Sequence, residues 1–104
     1  MARGLQNLMK QAQELQKKLE QVQEGLADME VEATAGGGMV KVVANGKQEI
    51  MSIEIDKEVI NPDDKEMLED LVLAAVNEAL RKSRELAAEE MSKVTGGIMP
   101  PQFM

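Results

Sequence analysis

The first thirty residues carry apolar side chains at a spacing that constrains the whole fold. Positions separated by alternating steps of three and four residues are apolar: Leu5, Leu8, Ala12, Leu15, Leu19, Val22, Leu26 and Met29. Four heptads fit this pattern with apolar a and d positions, which gives a period of 3.5 residues. Such a narrow seam is typical of a helix that packs along another helix. The sequence therefore predicts a first helix over about 3–30 and a second helix beside it.

After this helix the apolar period changes to two residues, which predicts strands at about 31–35, 39–44 and 47–56. Asn45-Gly46 is a strong hairpin signal between the second and third of these strands. The triplet Gly36-Gly37-Gly38 separates the first two. Neither a Lys-Ser/Thr pair nor a helix start follows the triplet, so we interpret it as a turn and not a phosphate cradle. The prediction is a three-stranded antiparallel meander.

A second long helix is predicted over about 62–94. Asn61 and Pro62 supply a cap and a first-turn proline, and Asp63 with Glu66 offers a capping box. Residues 95–104 begin with a glycine pair and contain two prolines, so we expect a flexible tail or a hook onto a partner. The 104 residues thus form one domain of the α+β class with the order α-β-β-β-α.

The predicted second helix is apolar on two sides, and a three-stranded sheet is too small to cover both long helices. One stripe consists of Leu68, Leu71, Val72, Ala75 and Ala79, and another of Leu73, Val76 and Leu80. A helix with two apolar sides needs two partners, and a second copy of the chain is the simplest second partner. We predict a homodimer and assign its interface to Val40, Val42, Leu71, Leu73, Val76 and Leu80. The alternative is a monomer in which both stripes belong to one wide core.

The composition removes most kinds of chemistry. Cysteine and histidine are absent, which excludes a disulfide framework, a thiolate zinc site and the usual general base. Phe103 is the only aromatic residue, so no base-stacking platform can form. The carboxylates at the start of the second helix are placed to cap it and not to ligate Mg²⁺. We expect no catalytic residue, metal, cofactor or small-molecule substrate. The longest apolar run has six residues, so we expect an intracellular chain without a membrane span.

A net charge of -7 argues at first against DNA as a partner, yet the cations are not spread evenly. Arg3, Lys10 and Lys17 all fall at heptad position f, opposite the apolar seam, with Lys18 beside them. A second group lies in the later half of the second helix: Arg81, Lys82, Arg84 and Lys93. These eight residues are the candidate DNA-binding set, because a line of cations can contact phosphates without reading bases. The alternative is an ordinary solvated helix face.

Several segments together resemble the YbaB/EbfC family of bacterial nucleoid-associated DNA-binding proteins. They are residues 8–13, 36–42 with Asn45-Gly46, 64–72, 75–79, and the ending with a Gly-Gly pair and prolines. The resemblance implies a tweezer-shaped homodimer that binds double-stranded DNA on helical arms. It also implies a cytoplasmic, nucleoid-associated location, a role in nucleoid organisation or gene expression, and no catalysis. A different class remains open: a protein-binding clamp or chaperone-like jaw that resembles prefoldin subunits in outline.

Overall fold

The computed structural model of the chain describes residues 2–96. Helix α1 spans Ala2–Leu26 and helix α2 spans Lys65–Thr95, with strands β1 (Glu30–Ala35), β2 (Val40–Asn45) and β3 (Ile50–Ile55) between them. Two single-turn 3-10 helices, Lys57–Val59 and Pro62–Asp64, lead into α2. This order confirms the predicted α-β-β-β-α subunit of the α+β class. The predicted tail comprises residues 95–104. Of these, residues 97–104 lie outside the described residues.

Helix α1 ends four residues earlier than the apolar spacing predicted. After Leu26 the amides of Ala27, Asp28 and Met29 each donate to a carbonyl three residues back, at 3.1–3.3 Å. These bonds tighten the chain into a turn that leads directly into β1. Met29 therefore fits the heptad only by coincidence of spacing, and its side chain is largely exposed.

The ends of α2 follow the sequence signals closely. Asn61 caps the preceding 3-10 turn, because its side-chain oxygen accepts from the amide of Asp63 at 3.0 Å. Asp64 caps α2 itself and accepts from the amide of Met67 at 3.4 Å. At the other end Gly96 adopts a left-handed conformation, and its amide donates to the carbonyl of Ser92. The N-cap of α2 is thus Asp64, three residues after Asn61 and one residue after Asp63, which had been predicted to form a capping box with Glu66.

The three strands form one antiparallel sheet in the order β1-β2-β3, and α2 lies across one face of it. The outer face is polar, and Lys41 lies there between Glu32 and Glu54 at 3.7 and 3.8 Å. The inner face and α2 share a core of small and β-branched side chains: Ala33, Val40, Val42, Ala44, Val59, Ala75 and Ala79. Alanines at the contact allow the helix to lie close against the strands.

The apolar face of one strand, β3, has little cover within the chain. The pairing register places Ile53 beside Val42 and Ile55 beside Val40, so both isoleucines point to the side on which α2 lies. Helix α2 packs over β1 and β2 and barely reaches β3. Ile53 and Ile55 are consequently 46% and 37% exposed.

The end of α1, the loop between β2 and β3, and the middle of α2 meet at one place, which we call the junction (Leu26, Asn45, Gly46 and Ser83). The amide of Gly46 donates to the carbonyl of Leu26 at 2.9 Å. The fully buried hydroxyl of Ser83 donates to the carbonyl of Asn45 at 2.6 Å. It also accepts from the amide of Gln48 at 3.0 Å. A single loop thereby binds both helices.

The Asn45-Gly46 pair marks the hairpin, but the turn differs from the tight two-residue type. The loop runs from Gly46 to Glu49, and Gln48 supplies its left-handed residue at φ 63°. The side-chain oxygen of Asn45 accepts from the amides of Lys47 and Glu49 at 2.9 and 3.1 Å. This loop uses three residues that the sequence had suggested for β3, which therefore starts at Ile50 and not at Lys47.

Glycine at position 46 is required by the contact with α1. A Cβ atom there would lie 2.8 Å from the carbonyl oxygen of Leu26 and 2.9 Å from its Cβ. Real Cβ atoms do not approach backbone this closely. Any side chain would have to push the end of α1 away from the hairpin loop.

We predict that Gly46→Ala lowers the free energy of unfolding by about 1–3 kcal/mol, because the added methyl group overpacks the junction. The matched control is Gly25→Ala, at the residue that precedes Leu26 in α1, where a Cβ would meet no atom within 4 Å. That change raises helix propensity and should stabilise the chain by about 1 kcal/mol. Urea denaturation followed by far-UV circular dichroism measures both. Equal stabilities for Gly46→Ala and the unaltered chain would contradict the account of the junction.

Candidate nucleic-acid interface

Most of α1 projects beyond the rest of the chain. Leu26 is buried and Leu19 and Val22 are half-buried, whereas every residue from 3 to 18 is exposed. We call residues 3–18 the free arm; at 1.5 Å per residue it is roughly 24 Å long. The whole molecule measures 74 × 23 × 16 Å, which reflects this projection.

The free arm carries the first group of candidate DNA-binding residues. Arg3, Lys10 and Lys17 recur every seven residues and so lie on one face, about 10 Å apart, with Lys18 beside them. We call these four residues the basic line. Within residues 2–96, the structure places no carboxylate in ion-pair range of any of them. Glu14 is the only acidic residue on the free arm, so the four charges are available to an external anion.

The second group, on α2, is engaged in local pairs. Arg81 donates to both Glu78 and Glu85, one turn away on either side, and Lys93 contacts Glu90 at 2.8 Å. The hydrogen bond from Arg81 lowers the pKa of Glu78 below its ordinary value. The hydrogen bond with Glu90 raises the pKa of Lys93 above its ordinary value. Each of these cations therefore has a neighbouring carboxylate that offsets part of its charge.

Lys82 and Arg84 differ from that pattern and from each other. The ammonium group of Lys82 donates to the backbone carbonyl of Glu32 at 2.8 Å, so this side chain covers the open edge of β1. Lys82 thus lies beside the sheet, not on a distal arm as the sequence had suggested. Arg84 is exposed, and no carboxylate in the described part of the chain pairs with it.

The most acidic segment of the chain, 56–70, lies at the opposite end of the molecule from the free arm. Leu71 contacts the turn at Gly36, while Ser83 contacts the loop at the other end of the sheet. The acidic start of α2 therefore lies at the end of the sheet remote from the junction. Asp70, the residue of this segment nearest to Ser83 along α2, is still about 20 Å from Ser83 along the helix axis. This separation exceeds the roughly 8 Å screening length at physiological salt. Segment 56–70 therefore contributes little to the potential at the free arm, whose nearby carboxylates are Glu14, Glu20 and Glu24 of α1.

The residues that the sequence assigned to a subunit interface differ in how exposed they are within one chain. Val40 and Val42 are fully buried under α2 of the same chain, so they are not available on the surface of one subunit. Leu71 packs against the core at the β1 side. Leu73 is 60% exposed, and Val76 and Leu80 are half-buried. The interface prediction therefore has to be revised to exclude the two valines.

Sequence reasoning missed three residues that the structure leaves exposed on the inner face of the sheet, namely Ile50, Ile53 and Ile55. Ile53 and Ile55 alternate with Ser52 and Glu54, a pattern typical of a strand with one apolar face. Ile50 joins that face through the irregularity between Val43 and Ala44, which pairs it with Ala44. The missing information was that α2 covers only β1 and β2. That fact depends on where the helix crosses the sheet, which no local pattern records.

Among residues 2–96, no cluster of three or more His, Cys, Asp or Glu side chains is placed to hold a metal ion. No helix in this range combines the length and apolar character needed to cross a bilayer.

A family model described as the YbaB/EbfC DNA-binding family matches residues 1–98. The chain belongs to this family. It is 57% identical to a nucleoid-associated protein of Thermoanaerobacter pseudethanolicus, with 94% of this chain and 88% of that protein covered. It is 54% identical to a nucleoid-associated protein of Syntrophobacter fumaroxidans, over 97% of this chain and 91% of that one. The resemblance drawn from the sequence motifs is confirmed.

A solved structure confirms the fold of this YbaB/EbfC chain independently. The crystal structure of an uncharacterized protein from Helicobacter pylori superposes with a TM-score of 0.76 at 26% sequence identity. The match covers 86% of this chain and 94% of the other, so both helices and the sheet belong to the shared architecture.

Proposed function

We propose that the chain is a non-enzymatic protein of the bacterial nucleoid that binds double-stranded DNA as a homodimer, with the free arm of α1 as the main contact surface. The observation that carries this proposal is the basic line, because its four cations are exposed and unpaired within the described part of the chain. Membership of a family described as DNA-binding, and relatives named nucleoid-associated proteins, support it. In this proposal the chain acts in the cytoplasm on nucleoid organisation and gene expression.

The geometry of the basic line favours phosphate contact over base recognition. Three of its four side chains are lysines, whose ammonium groups act as mobile point charges without a fixed hydrogen-bonding plane. Phosphate contacts position a protein on the duplex but do not read its sequence. Each contact releases condensed counterions, so four of them on one arm give a log–log salt slope of about -3.6. We therefore propose binding with little sequence preference and a strong salt dependence.

The cations of α2 take a smaller part in this proposal. Arg81 and Lys93 each have a carboxylate beside them, and Lys82 is bonded to the β1 backbone. To reach a phosphate they would have to give up these bonds. Arg84 is the member of the second group best placed to add a contact.

We also propose that two subunits join through the uncovered part of the inner face. The apolar trough consists of Ile50, Ile53 and Ile55 of β3 together with Leu73, Val76 and Leu80 of α2. Leu71 and Lys82 contact the β1 side of the sheet, so the helical repeat places Leu73, Val76 and Leu80 on the opposite, β3 side. A trough that combines the apolar face of one strand with the side of a helix resembles an incomplete core. A two-fold partner offering the same trough would complete it.

The DNA proposal predicts that reversing three charges of the basic line, with Lys10→Glu, Lys17→Glu and Lys18→Glu together, removes binding to duplex DNA in a gel-shift titration. All three side chains are exposed, so folding and subunit association should not change. The matched control reverses Lys47, Lys57 and Lys65, which are equally exposed and lie off α1. The control has the same net charge as the test variant and should retain binding.

Two results would contradict this proposal. One is a test variant that shifts duplex DNA as well as the unaltered chain does. The other is affinity for DNA that does not change between low and physiological salt, since phosphate contacts must release counterions. Loss of binding in both triple variants would mean that net charge, and not the free arm, controls the interaction.

The subunit proposal predicts that Ile53→Asp converts the protein from dimer to monomer, because it would bury an unpaired carboxylate in the trough. Ile53 is 46% exposed in one chain, so the subunit itself should still fold. Ser52→Asp is the control, since it places the same charge on the polar face of the same strand. Light scattering after gel filtration measures the mass. A dimer that persists in Ile53→Asp would rule out the trough as the interface.

A further inference from the structure

The free arm carries an apolar seam that the rest of the described chain does not cover. Leu5 and Leu8 are 62% and 64% exposed, and Leu15 is 43% exposed. With Ala12 they occupy consecutive a and d positions of the heptad pattern. The same seam is covered from Leu19 onward, where α1 packs against α2. The uncovered part is therefore a continuation of a helix-packing surface beyond the end of its partner.

The seam and the basic line lie on opposite faces of α1. Positions a and d point to one side of the helix, and position f, occupied by Arg3, Lys10 and Lys17, points to the other. An arm that places its basic line on phosphates must turn its seam away from that duplex. The bound arm thus exposes its row of leucines on the side that faces away from the duplex.

The chemistry of the seam favours the same seam of another copy as its occupant. A narrow stripe with a 3.5-residue period fits a helix with the same period better than it fits a sheet or a lipid surface, which need a wider apolar face. The positions beside it are uncharged along most of the arm: Gly4, Met9, Gln11 and Gln16. Two copies could therefore pair without bringing like charges together at the contact.

The basic lines would not oppose such a pair. Two helices pack with their axes 8–10 Å apart, and position f, with Arg3, Lys10 and Lys17, lies on the far side of each, while Lys18 lies beyond the uncovered seam residues 5–15. The two lines would then be about 20 Å apart, beyond the roughly 8 Å screening length at physiological salt. Each line would face outward, which leaves both free to hold phosphates.

We propose that free arms from two dimers pair seam to seam, so that each arm holds its own duplex and the pair bridges two DNA segments. This inference rests on the proposed DNA binding. The uncovered seam spans about two heptads, and helix pairs of this length are marginal in water. Pairing should therefore be weak between dimers in solution. It becomes favourable when DNA raises the local concentration of arms.

The test is a two-duplex capture assay. A duplex fixed to beads is mixed with protein and a second, fluorescent duplex, and the fluorescence retained on the beads is measured. The unaltered chain should retain the second duplex. The variant Leu5→Gln with Leu8→Gln replaces two exposed leucines by a good helix former, and it should lower retention roughly tenfold. Its gel shift of one short duplex should stay within about twofold, because the basic line is untouched.

The matched control is Asn7→Gln, an exposed polar position between the two leucines, which should retain the second duplex normally. Two outcomes would overturn the inference while leaving DNA binding intact. One is an unaltered chain that shifts single duplexes but retains no second duplex. The other is full retention by the double variant, which would assign bridging to the two arms of a single dimer. Absence of any gel shift by the unaltered chain would instead remove the proposed function itself.

Discussion

One backbone contact holds this elongated molecule together. The amide of Gly46 donates to the carbonyl of Leu26, at a distance that leaves no room for a side chain on residue 46. Ser83 bonds the neighbouring residue, Asn45, to the middle of α2. The end of α1 therefore has a fixed position relative to both the sheet and α2. Because helices are stiff over a few turns, this anchoring also fixes the direction in which the free arm projects and where its cations lie.

The small core explains why so much of the chain is left for other molecules. Helix α2 covers two strands of the sheet with alanine and valine contacts and leaves the third strand apolar and exposed. The free arm adds an uncovered seam on one face and an unpaired basic line on the other. These three surfaces account for the three interactions that we propose, with a second subunit, a duplex and a neighbouring dimer. The most acidic segment, 56–70, lies at the end of the sheet remote from the free arm.

Local patterns predicted the element order and the basic line on α1, and they placed the start of α2 within three residues of its observed N-cap, Asp64, because each depends on residues close together in sequence. They failed where distant residues decide the structure. The end of α1 at Leu26 is set by its contact with the hairpin loop, although the heptad pattern continues to Met29. Lys82 belongs to the edge of β1 because the fold brings Glu32 within reach. Arg81, assigned from the sequence to the DNA-binding group, pairs with Glu78 and Glu85 at the spacing of one helical turn.

The central claim is that the free arm of α1 is the surface that meets DNA. Mapping backbone amide chemical shifts by NMR, during titration with a short duplex, tests this most directly because it reports on every segment at once. The account predicts that the largest changes fall within residues 3–18, with smaller changes near Arg84 and none along the acidic segment 56–70. Changes concentrated on the sheet or on α2, with residues 3–18 unaffected, would contradict it.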